Sequence, residues 1–400
     1  MQRHYSWPEG HWNWPVRLTH KHGVRAGEMI LTGGQVDLDS AGTVRNPGDI
    51  HAQCDAAMAY LSRVLDDLGA DFGDLVRLVV YFAGDARAEA RLTGQLAHII
   101  GPDAGPVLNL IGLPGLCYPQ MMVEIEGVAM RGENGARLPR ECLHLPDMPR
   151  LDPAFSHMVI CEDLVFTGDI SALTPDGRVD APGDTTAQTQ VMMDRLGRAL
   201  AAAGAGYRDV LKLNTFYLGG GGVQDWARPA EIRAGFFPRP GPAPTGVPVP
   251  RFPNPGLAAK IAVTASRGPV THAWPDGHWD WTSPLPYSHG TQAGGLIHVG
   301  GQVSLDSAAQ VIDPGNMVAQ TRRAMDNVAR VLAEFGATLD DVVKVTTFYQ
   351  GNASADALHE NLLIRSGSYN EPGPATTGIP VPALVYDGMM IEIEAIAVKS

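Results

Sequence analysis

Apolar positions recur along the 400-residue chain in one phase, three times over. Met58, Leu61, Leu65 and Leu68 are spaced by three and four; so are Met193, Leu196, Leu200 and Ala203, and Met325, Val328, Leu332 and Phe335. Such spacings put each set on one face of a helix. Asp49, Asp184 and Asn316 stand where these helices begin, and their side chains can accept from the free N–H groups of a first turn. Gly69, Gly204 and Gly336 follow the last apolar positions, because glycine tolerates the left-handed conformation of a helix end. Beyond each glycine the pattern changes. Residues 75–82, 210–217 and 342–349 are rich in Val, Thr, Phe and Tyr and predict half-buried strands.

The repeat is wider than a helix and a strand. Pro47-Gly48-Asp49, Pro182-Gly183-Asp184 and Pro314-Gly315-Asn316 open it, and Ala52-Gln53, Ala187-Gln188 and Ala319-Gln320 follow. The glutamines lie 135 and 132 residues apart (188 − 53 and 320 − 188). A period this long predicts three tandem domains rather than a solenoid of short units. Their spans are 1–133, 141–268 and 270–400. In the first, a strand over 29–36 precedes the helix, a second helix covers 87–100, and late strands cover 107–113 and 121–130. The order is β-α-β-α-β-β, with one further strand before the first helix. Residues 131–140 are polar and carry Gly132, Gly135 and Pro139, the composition of a linker. In the second domain the early strand covers 164–170, and Thr174-Pro175-Asp176-Gly177 predicts a turn. The glycines at 219–222 read as a flexible loop, since no Lys-Ser/Thr follows them as in a phosphate-cradling loop. The leader Trp274-Pro275-Asp276-Gly277-His278-Trp279-Asp280-Trp281 echoes Trp7-Pro8-Glu9-Gly10-His11-Trp12-Asn13-Trp14, and the second copy lacks it.

A sheet covered by helices on one face leaves the other bare. Three such sheets can bury those faces around a three-fold axis, with head-to-tail contacts closing a ring. Clefts between neighbours are then favoured places for small-molecule sites. The net charge of −13 argues against a nonspecific nucleic-acid binder, which needs clustered Lys and Arg. No apolar run reaches the about 18 residues of a membrane span, and the start, Met1-Gln2-Arg3-His4-Tyr5, has no apolar signal region. A cytoplasmic protein is expected. Cys54, Cys117, Cys142 and Cys161 show no CxxC spacing and are expected to be reduced and buried.

Pro286-Tyr287-Ser288-His289, Val299-Gly300-Gly301-Gln302, Ala319-Gln320, Val343-Lys344-Val345-Thr346-Thr347-Phe348 and Ile391-Glu392-Ile393-Glu394-Ala395-Ile396-Ala397-Val398 resemble, in that order, the RidA (YjgF) family. The third copy matches best and the second least. The resemblance implies an α+β, chorismate-mutase-like fold and a single-chain pseudo-trimer around a central barrel. It implies hydrolysis of reactive enamines or imines to a carbonyl compound and ammonia, with an arginine after the late Pro holding the substrate carboxylate and a Glu-x-Glu glutamate handling water. The chain departs from that pattern at the arginine: Leu108, Pro244 and Thr376 stand there. None offers the two-pronged contact of a guanidinium.

Glu124 and Glu392 are the candidate acid–base groups; Lys260 holds the corresponding place in the middle copy. Alternating glutamates on a strand can equally be a solvated face. Lys260 is either a desolvated amine nucleophile or a surface lysine. His22, His157 and His289 recur at the same steps as the glutamines (157 − 22 and 289 − 157). They are copied structural histidines or ligand-facing groups that titrate near neutrality, with His22 and His289 as proton shuttles. Three histidines on one axis could also hold a metal, but no metal or cofactor is expected. Gln35 and Gln302 align after paired glycines, with Asp169 after Gly168 in the middle copy. They join Tyr287, Thr376, Thr377, Asn109 and His157 as the expected substrate-binding set. The Trp-rich leaders are lids over clefts or packing over a neighbour. The partner expected is a small metabolite, with no nucleic acid and no membrane; self-association beyond the pseudo-trimer is left open. Two functions fit: a hydrolase on a C–N bond of that metabolite, or a noncatalytic metabolite- or partner-binding protein.

Overall fold

The helix caps form where the sequence places them. In the computed structural model, which describes residues 2–351 and 355–399, the Asp49 carboxylate accepts from the N–H groups of His51 and Ala52 at 3.1 Å. Asp184 accepts from Ala187 at 2.9 Å, and Asn316 from Ala319 at 3.0 Å. Gly69, Gly204 and Gly336 end the helices at φ of 76, 71 and 64°.

The first domain runs β1 (Arg3–Ser6), β2 (Gly23–Ala26), β3 (Met29–Thr32), α1 (Ile50–Asp67), β4 (Leu75–Ala83), α2 (Ala86–Ile100), β5 (Val107–Leu113) and β6 (Val123–Met130). Its sheet order is β1-β2-β3-β6-β4-β5, with β4 and β5 parallel and the other pairs antiparallel. The second domain runs β7 (Arg140–Leu143), β8 (Met158–Cys161), β9 (Leu164–Thr167), β10 (Ile170–Ser171), α3 (Thr185–Ala202), β11 (Val210–Leu218), α4 (Val223–Ala234), β12 (Ala243–Val249) and β13 (Ala259–Ser266). The third runs β14 (Thr271–Ala273), β15 (Gly290–Ala293), β16 (Leu296–Gln302), α5 (Met317–Glu334), β17 (Val342–Gln350), α6 (Ala355–Gly367), β18 (Ala375–Val381) and β19 (Ile391–Val398). All three sheets share one strand order.

Four expectations need correcting. Two strands, not one, precede β3, because each leader adds an edge strand; the second copy has this strand too, without the tryptophans. The strand foreseen over 29–36 stops at Thr32, where Gly33-Gly34 turns the chain towards a neighbouring domain. Residues 131–140 are pinned rather than free: Arg131 pairs with Asp74 at 2.7 Å and Arg137 with Asp71 at 2.6 Å. Cys54, Cys117 and Cys161 are buried and unpaired, but Cys142 is exposed.

The recurring glutamines are clips. Gln320 donates to the carbonyls of Asp313 and Gly388 at 2.9 and 2.8 Å and accepts from Met390 N at 2.7 Å. Gln53 and Gln188 make the same three bonds, each tying the loop before the helix to the loop before the last strand.

The domains contact one another head to tail. Gly34 N bonds the Thr376 carbonyl at 3.1 Å, Asp169 N the Leu108 carbonyl at 3.3 Å, and Ser288 N the Pro242 carbonyl at 3.1 Å. First-to-third, second-to-first and third-to-second contacts close a ring. Its inner faces surround a lumen in which basic side chains cross the seams. Lys344 pairs with Glu126 at 2.6 Å and Lys212 with Glu394 at 2.9 Å. Arg77 donates to Thr264 at 3.0 Å, because Ala262 leaves no carboxylate there. Tyr81 and Phe216 line the same lumen, and each packs edge to face on Phe348.

Candidate functional site

Alternation along β6 and β19 sends Glu124 and Glu392 to the same face as Glu126 and Glu394. Glu126 and Glu394 meet the lumen lysines. Lys212 and bonds from Thr245 and Asn214 outweigh burial and hold Glu394 below the usual carboxylate range. Glu124 and Glu392 reach the seams instead.

At the second–third seam, Glu392 lies against the backbone of Gly301, and its Oε2 is buried without a partner. Burial is the largest influence on it; the charge of Glu394 adds to it and that of Lys212 opposes it, leaving the pKa raised to about 8. Facing it across a cavity of about 70 Å³ are Arg233 from α4, Tyr217 and Trp226, all from the second domain. Tyr287, Trp279 and Trp281 line the same cavity from the third.

At the first–third seam, Glu124 lies against Gly34 and accepts from the Cys117 thiol at 3.9 Å. Burial, then the charge of Glu126, raises its pKa to about 8. The cavity is smaller, about 20 Å³. Behind its wall Arg365 from α6 donates to Asn361 at 3.0 Å and to the Thr376 hydroxyl at 2.9 Å.

The first–second seam is bridged by charge. Lys260 replaces the glutamate, and its ammonium meets Asp169 at 3.2 Å, Glu89 at 3.5 Å and the Leu110 carbonyl at 3.0 Å. Burial works against the ammonium, but the two carboxylates outweigh it and raise its pKa, so Lys260 is no free amine nucleophile.

The structure brings Glu124, Glu392, Tyr287 and Thr376 to cavity walls at the seams. It places others elsewhere. Gln35 and Gln302 brace the leaders: Gln35 accepts from His11 at 2.8 Å and Trp12 at 3.3 Å, Gln302 from His278 at 2.8 Å and Trp279 at 3.2 Å. His22 and His289 stack on Trp14 and Trp281, ring centroids 5.2 Å apart, one layer behind the cavities. Burial drives both imidazoles neutral, so they do not stand where a proton shuttle would. His157 accepts from Leu145 N at 2.8 Å and donates to the Pro149 carbonyl at 2.8 Å, tethering its own leader. Among the described residues no group of three His, Cys, Asp or Glu could hold a metal. Thr377 donates to Glu126 on the lumen side, and Asn109 to Asp169 at 2.9 Å. Asp169 matches Gly34 and Gly301 rather than the glutamines, since Gly33, Gly168 and Gly300 each bond the carbonyl of the recurring histidine. The leaders do cover cavities: Trp12 and Trp14 line one, Trp279 and Trp281 the other.

Arg233 and Arg365 were not foreseen. Their separation of 132 residues (365 − 233), the step already visible in the glutamines, was the signal that could have found them.

Three α+β domains contact one another head to tail, with raised carboxyls buried at two of the seams. The sequence profile described as Endoribonuclease L-PSP matches residues 16–131, 148–267 and 282–399, and the chain belongs to that family in three tandem copies. It is similar to the RutC family protein of Pyrococcus abyssi, 36% identical over 114 residues, which are 28% of this chain and 87% of that protein. It is also similar to the 2-iminobutanoate/2-iminopropanoate deaminase of Escherichia coli K12, 32% identical over 117 residues, 28% of this chain and 88% of that protein. In fold it resembles a crystallised chorismatase with a TM-score of 0.55, covering 82% of this chain and 93% of that one at 12% identity. No described helix is long and apolar enough to cross a membrane.

Proposed function

We propose that the protein is an imine or enamine hydrolase acting at the second–third seam, with Glu392 as its acid–base group. The observation that carries this reading is a buried carboxyl whose pKa is raised to about 8, facing an arginine across an apolar cavity. At neutral pH the Glu392 carboxyl protonates the imine nitrogen. The resulting carboxylate takes a proton from water as its oxygen bonds to the imine carbon. Glu392 returns that proton to nitrogen, the C–N bond breaks, and ammonia leaves as the hydroxyl proton passes back to Glu392. Relatives at 32% identity that bear the name 2-iminobutanoate/2-iminopropanoate deaminase support this chemistry. At this seam the Arg233 guanidinium from α4 stands in for the arginine missing after the late prolines.

The second reading, a noncatalytic metabolite binder, draws on the ion-paired first–second seam, which has lost both the glutamate and its glycine. A metabolite screen reading both ammonia release and melting temperature separates the two. Ammonia release that disappears in Glu392→Gln supports the hydrolase; melting shifts without product support the binder.

A further inference from the structure

Arg233 and Arg365 occupy matching positions, yet their surroundings differ. Asn361 and Thr376 accept from Arg365 at 3.0 and 2.9 Å. The residues 132 positions earlier (361 − 132 and 376 − 132) are Pro229 and Pro244. A proline side chain accepts no hydrogen bond, so Nε and Nη1 of Arg233 are left buried without partners, with the residue only 6% exposed. A buried guanidinium missing its acceptors is costly unless something else supplies them. The indole N–H of Trp226 and the phenol of Tyr217 are also unpartnered on the same cavity, where the Tyr287 phenol lies beside Arg233. These groups are mainly donors, and what they lack is an acceptor. The adjoining surface, Trp279 and Trp281, is flat and apolar.

We infer that the second–third seam is the only one of the three that takes a ligand, and that this ligand is a small organic anion with a flat unsaturated body, its charge set on Arg233. The first–third seam answers Nε and Nη1 of its arginine from within, leaving Nη2 alone unpartnered, and the first–second seam is occupied by the Lys260 ion pairs. The inference rests on the reading of this seam as the functional site and adds to it the ligand class and a stoichiometry of one.

The test is calorimetric titration of the full chain with cinnamate, and with cinnamamide as its uncharged counterpart. Cinnamate is expected to bind with one equivalent per chain, cinnamamide at least tenfold more weakly. Arg233→Met lowers cinnamate affinity at least tenfold, and Arg365→Met leaves it within twofold. Because Arg365→Met can fail to fold, the pair Pro229→Asn with Pro244→Thr serves as a second probe. It gives Arg233 the partners Arg365 has and weakens cinnamate while the arginine remains. No cinnamate binding, two equivalents, or undiminished affinity in Arg233→Met overturns the inference. Glu392→Gln keeps the two proposals apart. Cinnamate binding without Glu392-dependent ammonia release would count against the hydrolase alone. Glu392-dependent ammonia release without cinnamate binding would count against this inference alone.

Discussion

Gly301 and Glu392 compete for one space: a Cβ on Gly301 would lie 1.7 Å from Oε1 of Glu392. Gly34 and Glu124 stand in the same relation at 1.8 Å. At the first–second seam both members differ at once, Asp169 for the glycine and Lys260 for the glutamate, and the pair meets at 3.2 Å. A carboxylate on the loop and a cation on the strand thus replace a bare backbone and a carboxyl on the strand.

Gly301→Ala should therefore act on Glu392 before it acts on the fold. The added methyl displaces the carboxyl from its seat, and turnover is expected to fall at least a hundredfold, since a misplacement of about 1 Å can cost that much. Steady-state ammonia release, with circular dichroism as the folding control, checks this.

Lys260→Met leaves Asp169 and Glu89, each partly buried, without their cation. Breaking a fully buried pair costs about 3–5 kcal/mol, and the partial exposure here brings the expected loss to about 2 kcal/mol. Adding Asp169→Gly and Glu89→Leu removes the stranded charges and should recover most of the loss. Denaturant unfolding of the single and triple variants reads both effects; equal stabilities would show that the seam does not depend on the ion pairs.

The two raised carboxyls make stability pH-dependent in a defined direction. Glu124 and Glu392 move from 4.5 to about 8 on folding, so the folded state holds protons that the unfolded state has released. Their contribution is complete below about pH 4.5 and is lost as pH rises through about 8, at roughly 1.4 kcal/mol per unit for each group. The Glu124→Gln, Glu392→Gln double variant should lose less stability than the parent between pH 5 and 8. Parallel curves would mean that neither carboxyl is shifted.

Gln320→Ala removes one of the three clips. The Asp313 and Gly388 carbonyls keep the N–H groups of Asn316 and Gly315, while the partly buried Met390 N–H loses its partner. With three bonds lost and one donor left unmade, the expected loss is about 1–2 kcal/mol by denaturant unfolding.

Much of the architecture was legible because it repeats. Asp49, Asp184 and Asn316 act locally on their own helices, and a local cap is visible in sequence. The third-copy motif around Glu392 led to the seams because a strand's alternation fixes which side chains share a face. The site was harder to read where partners come from another domain. Gln35 and Gln302 look like cleft polar groups until their donors, His11 with Trp12 and His278 with Trp279, fold back onto them. His22 and His289 recur for the same reason, as stacking partners of the leader tryptophans. Arg233 was missed because its role depends on the prolines at 229 and 244, which only the folded chain brings beside it.

The account turns on a single carboxyl, so the most direct measurement is the pH–rate profile of ammonia release by wild type and by Glu392→Gln. With the protonated carboxyl as the starting acid, wild-type turnover should hold below about pH 8 and decline above it, in line with the raised pKa of Glu392. Glu392→Gln should be at least a thousandfold slower across the range, with no break near that pH. A Glu392→Gln rate equal to wild type, or a wild-type profile that climbs through pH 8, would contradict it.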